Sequence, residues 1–435
     1  MSVTIVVGAQ WGDEAKGKLV DLLSEKASIV ARFNGGDNAG HTVVNEFGTF
    51  KLRLIPNGFS NPRTACIIGP GVVINLGTLM DEIRTIQASG IDLAGRLWVS
   101  PRCHLVMPYH PMLEGIYEHA KGEARTGTTG RGMGPVFADK VSYNGIRLFD
   151  LADVAVFTQK LRVQLALKNP LFEAFGLEPL ELDTVRQEVL DKYAAVRERV
   201  QEPFGLLQEA LANGANIVLE GAQAALLDTD WGTYPFSTAS TTLAGGATAG
   251  LGIAPCWIKR VIGVSKAYTT RVGKGPLPTE LFDENGETLL KAGQEYGTVT
   301  GRPRRCGWFD AELVRFSARL NGFTDLALTK LDVLDPLPVI KICIGYQSAG
   351  RQGEPDRNSR EPAHYWEGDA RWLDQCQPVY LELEGWQRPT TQVRDFAQLP
   401  PQAQAYVRKI EELTGVPVML VSIGPGRDEN IPVPH

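Results

Sequence analysis

Between residues 8 and 18 the chain reads Gly-Ala-Gln-Trp-Gly-Asp-Glu-Ala-Lys-Gly-Lys, so two carboxylates and two lysines are set among glycines. Gly12, Gly17 and Lys18 fit the phosphate-cradling pattern G-x-x-x-x-G-K, in which backbone N–H groups and a lysine surround phosphate oxygens. Leu19 stands where that pattern carries the Ser or Thr that holds Mg²⁺. The nearest carboxylates, Asp13 and Glu14, lie inside the loop instead, which suits a magnesium–phosphate site built with Asp13. A tight strand-to-helix turn with solvated charges is the competing reading. A second small-residue loop, Gly35 to Thr42, carries His41 and weighs against it.

Both loops need elements to hold them. Val3–Val7 is a short apolar run of the kind that forms a buried parallel strand, and Leu19, Val20, Leu22 and Leu23 recur at helical spacing after the first loop. Ile29–Ala31 predicts a second strand, neighbouring the first, with the second loop at its end. Open α/β sheets bind ligands at the C-terminal ends of their strands. Glu220–Gln223 is a polar cluster in a similar place, after the run Ile217–Leu219; Arg125–Pro135 sets small and hydroxyl residues beside two arginines, a composition suited to phosphate, and Thr233–Thr242 is a further hydroxyl-rich stretch. Residues 298–308 pack three arginines into a Gly/Pro loop, and Arg suits carboxylate and phosphate. The run Leu326–Leu328 leads into Thr329-Lys330-Leu331-Asp332. An aspartate there can accept from the ring N–H and exocyclic amine of guanine together, and the lysine stem can cover the base. Alone, T-K-x-D is a weak signal, since Asp also caps helices. Beside a phosphate loop it favours GTP over ATP.

The bulk composition narrows the class. With 435 residues, 43% hydrophobic and 22% charged, the chain can bury a large core. A net charge of −6 argues against nucleic-acid binding through a basic surface. No apolar run reaches about 18 residues, so no membrane span is expected. Cysteines at 66, 103, 256, 306, 343 and 376 form no C-x-x-C pair, which points to a reduced, cytoplasmic setting rather than a zinc site or disulfide framework. The expected fold is α/β: a large, mostly parallel central sheet with a P-loop-NTPase-like nucleotide site, flanking helices, and helical and loop excursions. One domain is expected over 1–435, with a helical excursion at about 150–212 and a polar surface excursion at about 347–375.

GAQWGDEAKGK followed by NGGDNAGHT resembles the adenylosuccinate synthetase family, and GTTGRGMGP, EGAQ, GTYPFST, KAYTTRVGKGPLPTEL, TGRPRRCGW, TKLDVLD and ELTGVP extend the resemblance along the chain. It implies GTP-dependent ligation of L-aspartate to IMP, with Mg²⁺ (one per subunit), in a homodimer. A carboxylate takes the N1 proton of IMP, the 6-oxygen attacks the γ-phosphate, and aspartate displaces the 6-phosphoryl group. The matching positions imply Asp13 as base and, with the Gly40 carbonyl, as metal ligand. His41, Lys16 and Gln223 complete the implied catalytic set. Asn38, Thr128, Thr129, Tyr143, Gln223, Thr238 and Arg302, with Asp13, match IMP contacts. Gly12, Asp13, Glu14, Ala15, Lys16, Gly17, Lys18, Gly40, His41, Thr42, Arg304, Lys330, Leu331, Asp332, Ser422, Ile423 and Gly424 match the GTP site. Thr298, Val299, Thr300, Gly301, Arg302 and Arg304 match the aspartate loop.

The chain departs from the family pattern at several positions. Ala15 replaces a glycine, which a negative φ would accommodate. Asp37, Arg53 and Trp231 replace histidines, and Val299 a threonine. Tyr143 stands where an arginine reaches across the dimer to the nucleotide 5′-phosphate, and Arg131 and Arg147 are candidates to compensate. These changes keep open an alternative, the same chemistry on a 2-amino or deoxy purine nucleotide such as dGMP. Retention of Asp13 favours IMP. A non-enzymatic GTP-binding protein would leave His41, the arginine loop and GTTGRG unexplained.

Overall fold

A computed structural model describes residues 2–297, 301–347, 364–365 and 369–434. Nine strands form the main sheet: β1 (Ser2–Gly8), β2 (Ile29–Arg32), β3 (Ala65–Ile68), β4 (Leu97–Val99), β5 (Asn216–Glu220), β6 (Ile258–Lys266), β7 (Asp325–Thr329), β8 (Val418–Ser422) and β9 (Asn430–Pro432). Their order is β9-β8-β7-β6-β1-β5-β2-β3-β4. Neighbours pair in parallel from β6 to β8 and from β5 to β4, whereas β9 closes its edge antiparallel to β8. The mixed α/β architecture with a mostly parallel sheet is the one expected. One detail differs: β1 and β2 are not neighbours, because β5 lies between them.

The chain divides into two compact units, Met1–Ile5, Val20–Ala222 and Thr238–Lys259 in the first, Val6–Leu19, Gln223–Ser237 and Arg260–His435 in the second. In the first unit every residue of β2 is buried, as a central parallel strand requires. Its main core runs from Phe50 to Val196 and takes in helices Leu76–Ala88, Tyr109–Ala120, Val154–Ala174 and Leu182–Val196. The stripe Val185, Val189 and Val196 is buried there, with Tyr193 and Val200 packed against it. Asp153 caps the long helix Val154–Ala174 by accepting from the N–H groups of Ala155 and Val156. Residues 154–212 are thus largely helical, as expected.

The second unit packs a core around Trp11, Leu226, Leu313, Phe316, Cys343 and Tyr346. A small sheet of Phe309–Asp310, Val339–Gln347 and Gln377–Glu384 flanks that core. Most of the polar excursion expected at 347–375 lies outside the described residues. Among the described residues, no helix is long and apolar enough to cross a membrane.

Candidate active site

The phosphate loop belongs to the second unit and links β1 to helix Lys16–Ser24. Its backbone turns sharply: φ is positive at Gly12 (94°), Asp13 (60°) and Ala15 (65°). The negative φ expected of Ala15 is therefore corrected. An alanine holds a left-handed position that glycine fills without steric cost. This turn aims amides inward at the buried carboxylate of Glu14, which accepts from Gly12 N at 2.8 Å, Gln10 N at 3.2 Å and Lys16 Nζ at 2.7 Å. Gly8 makes room for it, since a Cβ there would lie 2.5 Å from Glu14 Oε2 and 2.8 Å from the Gln223 carbonyl. Gln223 itself has φ 56°. Gln10 anchors the loop to the end of β6 by accepting from Lys266 N at 3.0 Å and donating to Tyr268 O at 2.9 Å. Asp13 accepts from Arg304 Nε at 2.8 Å on Oδ2, and no described residue donates to its Oδ1.

Lys18 donates to Ser422 Oγ at 2.6 Å and to Gly424 O at 2.7 Å, so the phosphate loop is tied to the loop after β8. Burial lowers its ammonium to about 8, against the opposing charge of Glu429. Lys330, at φ 60°, donates to Gly293 O and Glu295 Oε1, both at 2.6 Å. Two residues on, Asp332 has a buried Oδ1 with no hydrogen-bond partner among the described residues. Burial raises its carboxyl to about 6. An unpaired buried acceptor costs about 1–3 kcal/mol, and a ligand that brings N–H donors recovers it.

In the first unit, His41 opens the hairpin His41–Asn45 and Gly48–Leu52. Its Nδ1 lies 3.0 Å from Glu220 Oε1, and its Nε2 lies 3.0 Å from Arg32 Nη1. The guanidinium can only donate, and the Asn57 amide nitrogen also lies 2.6 Å from Nδ1, so the ring is held from both sides among Arg32, Asn57 and Glu220. Burial would raise the Glu220 carboxyl, but His41 and Arg32 outweigh it and hold the group below its ordinary value. Asn38 donates to Thr238 Oγ1 at 3.4 Å, so two expected nucleotide contacts from distant segments meet. The loop bearing Thr128 and Thr129 is held from helix Tyr109–Ala120. Glu118 accepts from Thr126 N at 3.2 Å and Gly127 N at 2.7 Å, and Glu114 accepts from Gly132 N at 2.9 Å.

The departures from the family pattern also have definite places. Asp37 is fully buried, accepts from Thr78 Oγ1 at 3.1 Å and lies 3.6 Å from Arg131. Tyr143 is 97% exposed. Arg147 donates toward His104 Nε2 at 3.4 Å.

Within the second unit, then, the structure brings together Gly12 to Lys18, Arg304, Lys330 to Asp332 and Ser422 to Gly424. Within the first it brings together Asn38 with Thr238, and places Gly40, His41 and Thr42 where the hairpin begins. Gly301 and Arg302 are exposed, while Thr298, Val299 and Thr300 of the expected aspartate loop lie outside the described residues. Sequence reading did not single out Arg32 or Glu295, and it noted Glu220 only as part of a polar cluster, without a role. Glu220 opens the EGAQ cluster, so a strand-end carboxylate was visible there, but its partner His41 is far away in the chain.

A phosphate loop after the first strand of a parallel sheet, with an acceptor-bearing loop after β7, defines a nucleotide-binding α/β protein. More specifically, the chain belongs to the adenylosuccinate synthetase family, whose model matches residues 5–431. It is 48% identical over 436 residues to the adenylosuccinate synthetase of Heliobacterium modesticaldum, covering 99% of each chain. The fully ligated adenylosuccinate synthetase of Plasmodium falciparum superposes with a TM-score of 0.92 at 34% identity, covering 100% of both chains. The succinoaminodeoxyadenylate synthetase of cyanophage S-2L, solved with dGMP and with dATP as an energy donor, is 21% identical. Its TM-score is 0.61, over 100% of this chain and 96% of its own, a likeness of fold alone.

Proposed function

We propose that this chain ligates L-aspartate to IMP at the expense of GTP, releasing adenylosuccinate, GDP and phosphate on the AMP branch of purine synthesis. The observation that carries the reading is Asp13. It sits in a strained turn of the phosphate loop, with Oδ2 fixed by Arg304 and Oδ1 taking no hydrogen bond from the described residues. A general base must be held in place and left able to accept a proton, and Asp13 meets both conditions. It takes the N1 proton of IMP, so that charge builds on the 6-oxygen as that oxygen attacks the γ-phosphate. Aspartate nitrogen then displaces the 6-phosphoryl group, and the 6-oxygen leaves with phosphate. Phosphoryl transfer depends chiefly on positioning and charge neutralisation, the roles given to Lys16, His41 and the loop amides. Gln223 holds the purine beside Asp13. Asp332 reads guanine, Lys330 covers the base, and Arg302 binds the aspartate carboxylates with the 298–304 loop.

A carboxylate such as that of Asp13 and a backbone carbonyl such as that of Gly40 are hard oxygen donors, the kind that would hold Mg²⁺. When bound, Mg²⁺ neutralises charge on the phosphate oxygens. The whole chain acts as one catalytic domain in a cytoplasmic homodimer. Cys66, Cys103, Cys256, Cys306 and Cys343 are free thiols, in keeping with a reducing compartment.

The test is a nucleotide panel of IMP, dIMP, GMP and dGMP at fixed GTP, Mg²⁺ and L-aspartate, with products followed by mass. Adduct formation with IMP at least tenfold faster than with the others is expected. Preference for GMP or dGMP would overturn the IMP assignment.

A further inference from the structure

Glu295 is fully buried in the second unit and receives four donors. Lys266 Nζ lies 2.9 Å from Oε2, Arg304 Nη1 lies 2.6 Å from Oε2, and Lys330 Nζ lies 2.6 Å from Oε1. The Tyr268 hydroxyl also donates to Oε1. Its backbone is engaged as well. Arg304 N donates to Glu295 O at 2.8 Å, and Gly297 N donates to Arg302 O at 2.8 Å, which closes the stem of the loop that carries Gly301 and Arg302. Burial would raise this carboxyl, but Lys266, Lys330 and Arg304 hold it well below the usual carboxylate range. Arg304 spans from Glu295 to Asp13, and Lys330 spans from Glu295 toward the Asp332 loop. One carboxylate with every acceptor site filled cannot shift toward one partner without releasing another.

We propose that Glu295 is a positioning residue of the ligase reaction. It sets the guanine-side lysine, the arginine that fixes Asp13 and the stem of the aspartate loop from a single buried point. GTP and aspartate sites are thereby ordered together. The inference rests on the ligase reading for its aspartate side only.

Two variants test it. Glu295→Asp keeps the charge but is one methylene short of spanning Lys330 and Arg304. Glu295→Gln combined with Lys266→Met removes the carboxylate together with one of its cations, so that less buried charge is left uncompensated. Each is measured for GTP affinity by calorimetry with Mg²⁺, for the KM of aspartate and of IMP, and for melting temperature. The expected result is a tenfold or greater loss of GTP affinity with a matching rise in the aspartate KM, while the IMP KM stays within about threefold. GTP affinity and aspartate KM within twofold of wild type in either folded variant would overturn the proposal. So would all constants worsening in step with the melting temperature, which marks a purely structural role. Should wild type fail to ligate aspartate while the variants still lose GTP affinity, the ligase reading falls and the GTP-side role of Glu295 stands.

Discussion

Asp332 illustrates how a single residue links burial to specificity. Its carboxyl is raised to about 6 by burial, and one buried oxygen has no donor among the described residues. Such an acid takes up a proton as pH falls through about 6. The neutral form replaces an acceptor with a donor, so the pairing with guanine N–H groups is lost on the acid side and present above it. Preference for GTP over ATP, measured from pH 8 to 5, is expected to fall as pH drops through about 6; the ratio cancels protonation of the triphosphates. Asp332→Asn is expected to show weak preference with no such pH step. An unchanged ratio in wild type would contradict guanine reading by this residue. Asp13 and Asp332 stood out in the sequence as candidates because G-x-x-x-x-G-K and T-K-x-D are short patterns, whereas Lys16 entered through the family resemblance. Glu295 did not stand out, because its partners Lys266 and Lys330 stand 29 and 35 residues away and no local pattern joins them.

At the scale of the element, the phosphate loop shows what sequence could not reveal. Its existence followed from the glycines, but the conformation at Ala15 is dictated by the need to turn Gly12 and Gln10 amides onto Glu14. The left-handed backbone there costs an alanine about 1 kcal/mol relative to glycine. Ala15→Gly is therefore expected to stabilise the protein by about 1 kcal/mol in urea unfolding, with the slope unchanged. A loss of stability would mean that the turn relaxes to negative φ. Strand positions were well marked by apolar runs: β1, β2, β5 and β7 fall on Val3–Val7, Ile29–Ala31, Ile217–Leu219 and Leu326–Leu328. Adjacency was not marked. The insertion of β5 between β1 and β2 depends on a crossover of nearly two hundred residues, and nothing in either run encodes which strand will pair with it.

For the whole molecule, the composition and the parallel-sheet signals sufficed to set the fold class, and the linked motifs sufficed to set the family. The proposed homodimer belongs to this scale. Tyr143, 97% exposed, has no charge to offer the phosphate of a nucleotide bound by a partner copy. Tyr143→Arg is expected to lower the KM for IMP about tenfold or more, the worth of a charge-assisted hydrogen bond. No change would assign the phosphate to another cation, with Arg131 beside Asp37 the first to examine. The central claim, that the 6-oxygen of IMP is phosphorylated before aspartate displaces it, is tested most directly by turning over IMP labelled with ¹⁸O at position 6 in the presence of GTP, Mg²⁺ and L-aspartate. The account predicts one ¹⁸O in the released phosphate for each adenylosuccinate formed. Unlabelled phosphate, with GTP consumed and label left in water or in the nucleotide, would contradict it.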